Sequence, residues 1–149
     1  LSFVHQTGGA DAAFVKAGYE RRGFAADVAP FLFDVEARYR EADLVICRAG
    51  ATTLAELTAL GKPAVLIPFP YATHNHQEKN ARVLEAAGAA VVLLDREMDG
   101  KKLGAWIRDA LEHPDAWNDR VQASYQLGRR DATERVRRLC LDLMDRAAA

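Results

Sequence analysis

The sequence predicts an α/β fold, a Rossmann-like parallel sheet with flanking helices and a helical C-terminal tail. Three observations predict it. Short apolar, β-branched runs such as DLVIC (43–47) and PAVLIP (63–68) read as buried strands. Segments of helical period separate these runs, which is the pattern of βαβ units with right-handed crossovers. Beyond about residue 95 the strand pattern stops and only helical patterns continue. The 149 residues are expected to form one domain, a Rossmann-like core over roughly 1–95 and a helical tail over 96–149.

Taken in order, LSFVHQ (1–6) predicts the first strand, and Gly8-Gly9 breaks the chain after it. Residues 11–22 predict a helix with Phe14, Ala17 and Gly18 near one face and Gly23 beyond its end. Residues 26–29 suit a short strand and 33–42 a short helix. The strand at 43–47 leads through small residues into a helix over 52–60, stopped by Gly61 and Pro63. A strand at 63–68, a polar loop, a helix over 77–87 ending at Gly88 and a last strand at 89–94 follow. From Asp99 onward two or three helices are expected, with Pro114 between the first and second and a frayed end at 147–149.

Composition narrows the function classes. Half the residues are hydrophobic, 28% are charged and the net charge is −1, so nothing points to nucleic acid or to strong attraction by anionic lipid. Cys47 and Cys140 lie far apart without metal-ligand spacing and fit a reducing cytoplasm. No apolar run approaches the ~20 residues that span a bilayer, and no signal peptide is visible. The chain opens on Leu1 in what reads as a strand already under way, so further chain is expected upstream.

In sheets of this kind ligands sit beyond the carboxyl ends of the strands. That rule selects four loops, 7–10, 30–34, 48–53 and 69–76. In the third, Arg48 is followed by Ala49, Gly50 and Ala51, whose small side chains let a ligand approach the backbone. The amides of the next helix's first turn and its dipole then form a site for a diphosphate. Thr52 or Thr53 suits the helix cap. Glu56, one turn on, is able to accept both hydroxyls of a ribose. The plainer alternative is a Thr-capped helix in which Glu56 completes a capping box. Neither the P-loop nor the dinucleotide glycine pattern is present.

The fourth loop, PFPYATHNHQ (68–77), concentrates His74, Asn75, His76 and Gln77, with Asn80 one turn later. Such groups donate and accept directionally, as sugar hydroxyls require. A solvated loop is the plain alternative, and His74-x-His76 as a metal pair lacks a third ligand. His5 reads as a strand-end residue.

Together ADLVICRAGATTLAEL, GKPAVLIPFPYATHNHQEKNA and GAAVVL resemble the C-terminal domain of the MurG family, glycosyltransferase family 28, over about residues 4–94. The resemblance implies the C-terminal half of a GT-B glycosyltransferase, which holds UDP-N-acetylglucosamine (UDP-GlcNAc). It implies that Ala51, Thr52, Thr53, Leu54 and Ala55 border the diphosphate, that Glu56 binds ribose and that Gln77, with His76 and Asn80 nearby, contacts the sugar. Leu32, in PFLFDV, would read uracil through its backbone, and Arg48 would shape its loop or balance phosphate charge. The implied reaction is inverting transfer of GlcNAc to lipid I, a lipid-linked MurNAc-pentapeptide, giving lipid II in peptidoglycan synthesis. A cytoplasmic chain, or one peripheral to the cytoplasmic face of the bacterial inner membrane, is implied.

The sequence departs from the family in lacking its glycine-rich first loop. Gly8-Gly9 belongs to a later strand. The acceptor-binding N-terminal domain is likewise expected upstream, and no catalytic residue is assigned in this chain. No cofactor or metal is expected, since no Asp-x-Asp motif occurs. Rival readings are a UDP-GlcNAc 2-epimerase of the same fold and a stand-alone eukaryotic GlcNAc-transferase subunit working with a partner chain. A non-catalytic UDP-sugar sensor and a ligand-free packing domain complete the set. The tail arginines, Arg120, Arg129, Arg130, Arg135, Arg137 and Arg138, are expected on a solvated face because Asp119, Asp131 and Glu134 are interspersed.

Overall fold

A computed structural model of the chain describes residues 1–147. The frayed end expected at 147–149 rests on Ala148 and Ala149, which lie outside the described residues. The elements are β1 (Ser2–Gln6), α1 (Ala12–Glu20), β2 (Ala25–Ala29), α2 (Val35–Glu41), β3 (Val45–Cys47), α3 (Ala51–Leu60) and β4 (Ala64–Leu66). They continue with α4 (His76–Ala86), β5 (Ala90–Val92), α5 (Gly100–Glu112), α6 (Pro114–Leu127) and α7 (Ala132–Ala147). Every strand pairing is parallel, in the orders β1-β2 and β3-β4-β5. The predicted α/β alternation and helical tail are therefore present. The strands at 64–66 and 90–92 are shorter than the apolar runs that announced them, although the Ile67 and Leu93 amides still donate to the Cys47 and Leu66 carbonyls of the neighbouring strands, both at 2.9 Å.

The chain forms two compact units, Leu1–Glu41 and Ala42–Ala149. In the first, β1 alternates exposed and half-buried residues, as a strand with one covered face does. Phe3 packs between Tyr19 (ring centroids 5.1 Å apart) and Phe24 (5.5 Å, edge-on), and His5 Nδ1 lies 3.1 Å from the Tyr19 hydroxyl. Beyond β1 and β2 the Thr7 and Gly8 amides donate to the Ala29 and Pro30 carbonyls, at 3.1 and 3.0 Å.

Among the described residues, every buried hydrophobic one lies in the second unit. Val65, Ile67, Val91, Leu93 and Trp117 form its central cluster, with Leu44, Leu103, Trp106 and Ala110 packed against it. All of β4 is buried, as expected of a strand flanked on both edges. Trp117 buries its ring and donates from Nε1 to Asp109 Oδ2 (3.1 Å), so its polar edge is satisfied.

Helix α3 presents Leu54, Leu57 and Thr58 to the core. It ends at Gly61 in the left-handed region (φ 66°), where the Gly61 and Lys62 amides donate to the carbonyls of Thr58 and Leu57. Gly128, just past α6, meets a different demand. Its φ is ordinary, but a β-carbon there would collide with the Thr58 carbonyl. The last turn of α3 and the end of α6 thus approach closer than any side chain allows. Helix α7 lies wholly exposed over residues 132–146, and its Arg137 pairs with Glu134 at 2.8 Å. No helix among the described residues is long and apolar enough to cross a membrane.

Candidate functional site

Helix α3 starts one residue earlier than its threonines suggest. Gly50 is its N-cap, with extended backbone (φ −67°, ψ 142°), and no side chain caps the helix. Thr52 and Thr53 lie inside the helix, so the expected threonine cap and the Glu56 capping box are both corrected. The physical reason is that glycine, a good N-cap itself, takes the position without a side-chain acceptor. The first intrahelical bond runs from the Leu54 amide to the Gly50 carbonyl (3.0 Å). The amides of Ala51, Thr52 and Thr53 precede it and have no helical acceptor.

Around this helix start the side chains are small. Ala49 is fully buried, and Ala51, Thr52 and Ala55 are exposed. Leu54 turns its side chain inward, while Glu56 shares the exposed face with Thr52, one turn along. Gly50 has no internal steric reason to be glycine. Its φ is negative, and a β-carbon would meet nothing nearer than Thr53 Oγ1 at 3.9 Å. Its lack of a β-carbon leaves the backbone at the helix start open. Burial pushes the thiol pKa of Cys47, half-buried at the end of β3, up to about 12, so it stays protonated near neutral pH.

The loop after β4 is built differently. It turns through a 3-10 segment, Thr73–Asn75, in which His74 (φ 53°, ψ 22°) and Asn75 (φ 55°, ψ 32°) are both left-handed. Two successive non-glycine residues in that region are strained and persist only where neighbouring contacts impose them. Those contacts are visible. The Asn75 amide donates to Ala72 O and its Nδ2 to Glu78 Oε2, both at 2.8 Å. That side-chain bond, with help from Arg82, holds the Glu78 carboxyl below its ordinary value. His76 Nδ1 lies 2.8 Å from the Thr73 carbonyl, which requires the proton on Nδ1.

Gln77 heads the inward stripe of α4 that continues through buried Ala81 and Leu84, and it is itself half-buried. Its Oε1 accepts the Phe69 amide (3.0 Å), which fixes the orientation of the carboxamide. Asn80 is half-buried one turn later. Among the described residues no group of three or more His, Cys, Asp or Glu is placed to hold a metal ion.

Arg48 joins the strand ends. Its Nη1 lies 3.2 Å from the carbonyls of Ile67 and Pro68 and 2.6 Å from Asp95 Oδ1, and its guanidinium stands 5.7 Å above the Phe69 ring. Asp95 was not singled out by sequence reasoning. It follows the apolar run VVLL, so the rule about strand carboxyl ends, extended to a fifth loop, would have found it. In the first unit Gln6, also missed, accepts the Leu32 amide on its Oε1 (2.9 Å). Leu32 is half-buried between the exposed Phe31 and Phe33, whose rings meet edge-on at 5.0 Å.

Three comparisons bear on this geometry. Residues 1–136 match the model of the glycosyltransferase family 28 C-terminal domain. The UDP-N-acetylglucosamine--N-acetylmuramyl-(pentapeptide) pyrophosphoryl-undecaprenol N-acetylglucosamine transferase of Myxococcus xanthus is 46% identical over 97% of this chain, and that of Anaeromyxobacter sp. 47% over 98%. The crystal structure of Acinetobacter baumannii MurG superposes with a TM-score of 0.85 at 32% identity, covering 93% of this chain and 42% of that one. Spinosyn forosaminyltransferase SpnP, at 16% identity and a TM-score of 0.55, shares the fold. The chain spans 38% of the length of the two curated relatives. It belongs to the glycosyltransferase family 28 C-terminal domain family.

Proposed function

We propose that this family 28 domain binds UDP-GlcNAc as the donor half of an inverting hexosyltransferase that transfers GlcNAc to lipid I, forming lipid II. The observation that carries this reading is the uncapped start of α3 behind Gly50, a glycine whose own fold does not require it. The amides of Ala51, Thr52 and Thr53, with about half a positive charge from the helix dipole, suit a diphosphate. Glu56, exposed one turn further on, takes the ribose hydroxyls. The Gln77 carboxamide, with His76 and Asn80 near it, takes the sugar. Leu32 keeps the uracil role that the family resemblance implies.

The chemistry asked of these residues is limited. As the acceptor hydroxyl attacks the anomeric carbon, the bond to UDP breaks and negative charge grows on the diphosphate. Preorganised amides stabilise that charge without reorganising, a contribution of about 3–4 kcal/mol per donor in comparable sites. No metal is invoked, because backbone donors supply the countercharge. The general base and the acceptor site are assigned to the remainder of the enzyme, and the lipid-linked acceptor is met at the membrane surface.

The names of the two bacterial relatives support the donor and acceptor identities. Calorimetric titration of the chain with UDP, UDP-GlcNAc and UDP-glucose tests the reading. UDP and UDP-GlcNAc are expected to bind, with UDP-GlcNAc tighter than UDP-glucose. No heat with either of the first two would overturn it.

A further inference from the structure

Arg48 is too heavily engaged to serve simply as a phosphate countercharge. Its Nη1 bonds two successive carbonyls, Ile67 and Pro68, and its guanidinium covers the next residue's ring, Phe69. The Phe69 amide in turn holds Gln77 Oε1. One arginine at the end of β3 therefore sets the first three residues beyond β4, and through them the carboxamide on α4. Asp95, beyond β5, sets the arginine, with the short 2.6 Å contact expected of a charge-assisted bond.

The pair has little stabilising purpose. Arg48 and Asp95 side chains are 49% and 35% exposed, and ion pairs at such exposure contribute between about 0 and 1 kcal/mol. What the pair supplies is direction. A guanidinium free to swing would release both carbonyls and, with them, the Phe69 amide that holds Gln77.

We propose that Asp95 and Arg48 are a positioning pair for sugar recognition, orienting the Gln77 carboxamide through residues 67–69. This rests on the donor reading above. Neither residue touches the sugar in this scheme. Their removal therefore affects discrimination between UDP-GlcNAc and UDP rather than UDP binding itself.

The test is a mutant cycle on the full chain. Asp95→Asn is expected to weaken UDP-GlcNAc about tenfold and UDP less than about threefold, with Asp95→Glu recovering much of the preference. In a Gln77→Ala background, Asp95→Asn should add nothing to the loss of preference. Equal weakening of both ligands, no change in either, or a full additional effect in the Gln77→Ala background would overturn the proposal. A ligand-free measurement separates this from the donor reading. In amide spectra, Asp95→Asn should shift the Phe69 N–H and the Gln77 side-chain NH2. Unmoved resonances would refute the pair, whereas a wild-type chain that binds neither ligand refutes the donor reading alone.

Discussion

The loops after β3 and after β4 answer similar problems by opposite means. The first is made of omissions: a glycine cap, two alanines and amides with no helical partner. The second is made of additions: two left-handed residues, an arginine clamp, the Gln77 and His76 side chains tied to backbone, and an Asn75–Glu78 side-chain bond. The difference follows from what each is proposed to hold. A diphosphate is recognised by charge and close approach, which bare backbone supplies. A sugar is recognised by hydroxyl geometry, which needs oriented side chains and the scaffolding to orient them.

The largest effect should erase the contrast. Leu66 is fully buried at the end of β4, the strand that launches the second loop and pairs with β3, which launches the first. Leu66→Ala should destabilise the second unit by about 3 kcal/mol, within the range for such cavities. Denaturant unfolding would measure it, and UDP and UDP-GlcNAc binding should weaken together. Gly50→Ala should sharpen the contrast instead. Its backbone angles accept alanine, and the reduced freedom of the unfolded chain offsets alanine's weaker N-capping, so the melting temperature should change little. Both nucleotides should nevertheless lose at least about tenfold in affinity, or ~1.4 kcal/mol. Unaltered affinity would mean that no ligand approaches that backbone.

The smallest effect belongs to the second loop. The Glu78 carboxyl, lowered first by its bond from Asn75, titrates below its ordinary value in the folded chain. Its contribution is complete above the ordinary carboxylate range and is lost as the pH falls through the lower folded value. Acidification should shift the Asn75 side-chain and His76 amide resonances while those of Thr52 and Thr53 stay still. Parallel movement at both loops would show that the two are not independent.

The simple loop was also the more legible one. DLVIC and PAVLIP announced buried strands, and RAGATT announced a small-residue turn into a helix, because those signals are local in composition. The cap still escaped, since threonine and glycine are about equally good N-caps, and the local geometry that chose Gly50 is not written in composition. In the second loop the polar residues were legible but their arrangement was not. Nothing in HNHQ signals left-handed backbone at His74, because contacts imposed by the surrounding fold override its preference. Asp95 lies 47 positions from Arg48, and Gln6 lies 26 from Leu32. Pairings over such distances appear only when the chain is folded.

Gly128 gives the far end of α3 a mechanical meaning. With no room for even one carbon between the closing turn of α6 and the Thr58 carbonyl, α3 is seated against a stop. A helix that receives an anion at its start is pulled along its axis toward the charge or pushed back by it. Anchoring its tail converts that force into fixed field instead of recoil. Gly128, packed on the last turn of α3, thereby holds fixed the helix whose first amides stand open at the other end.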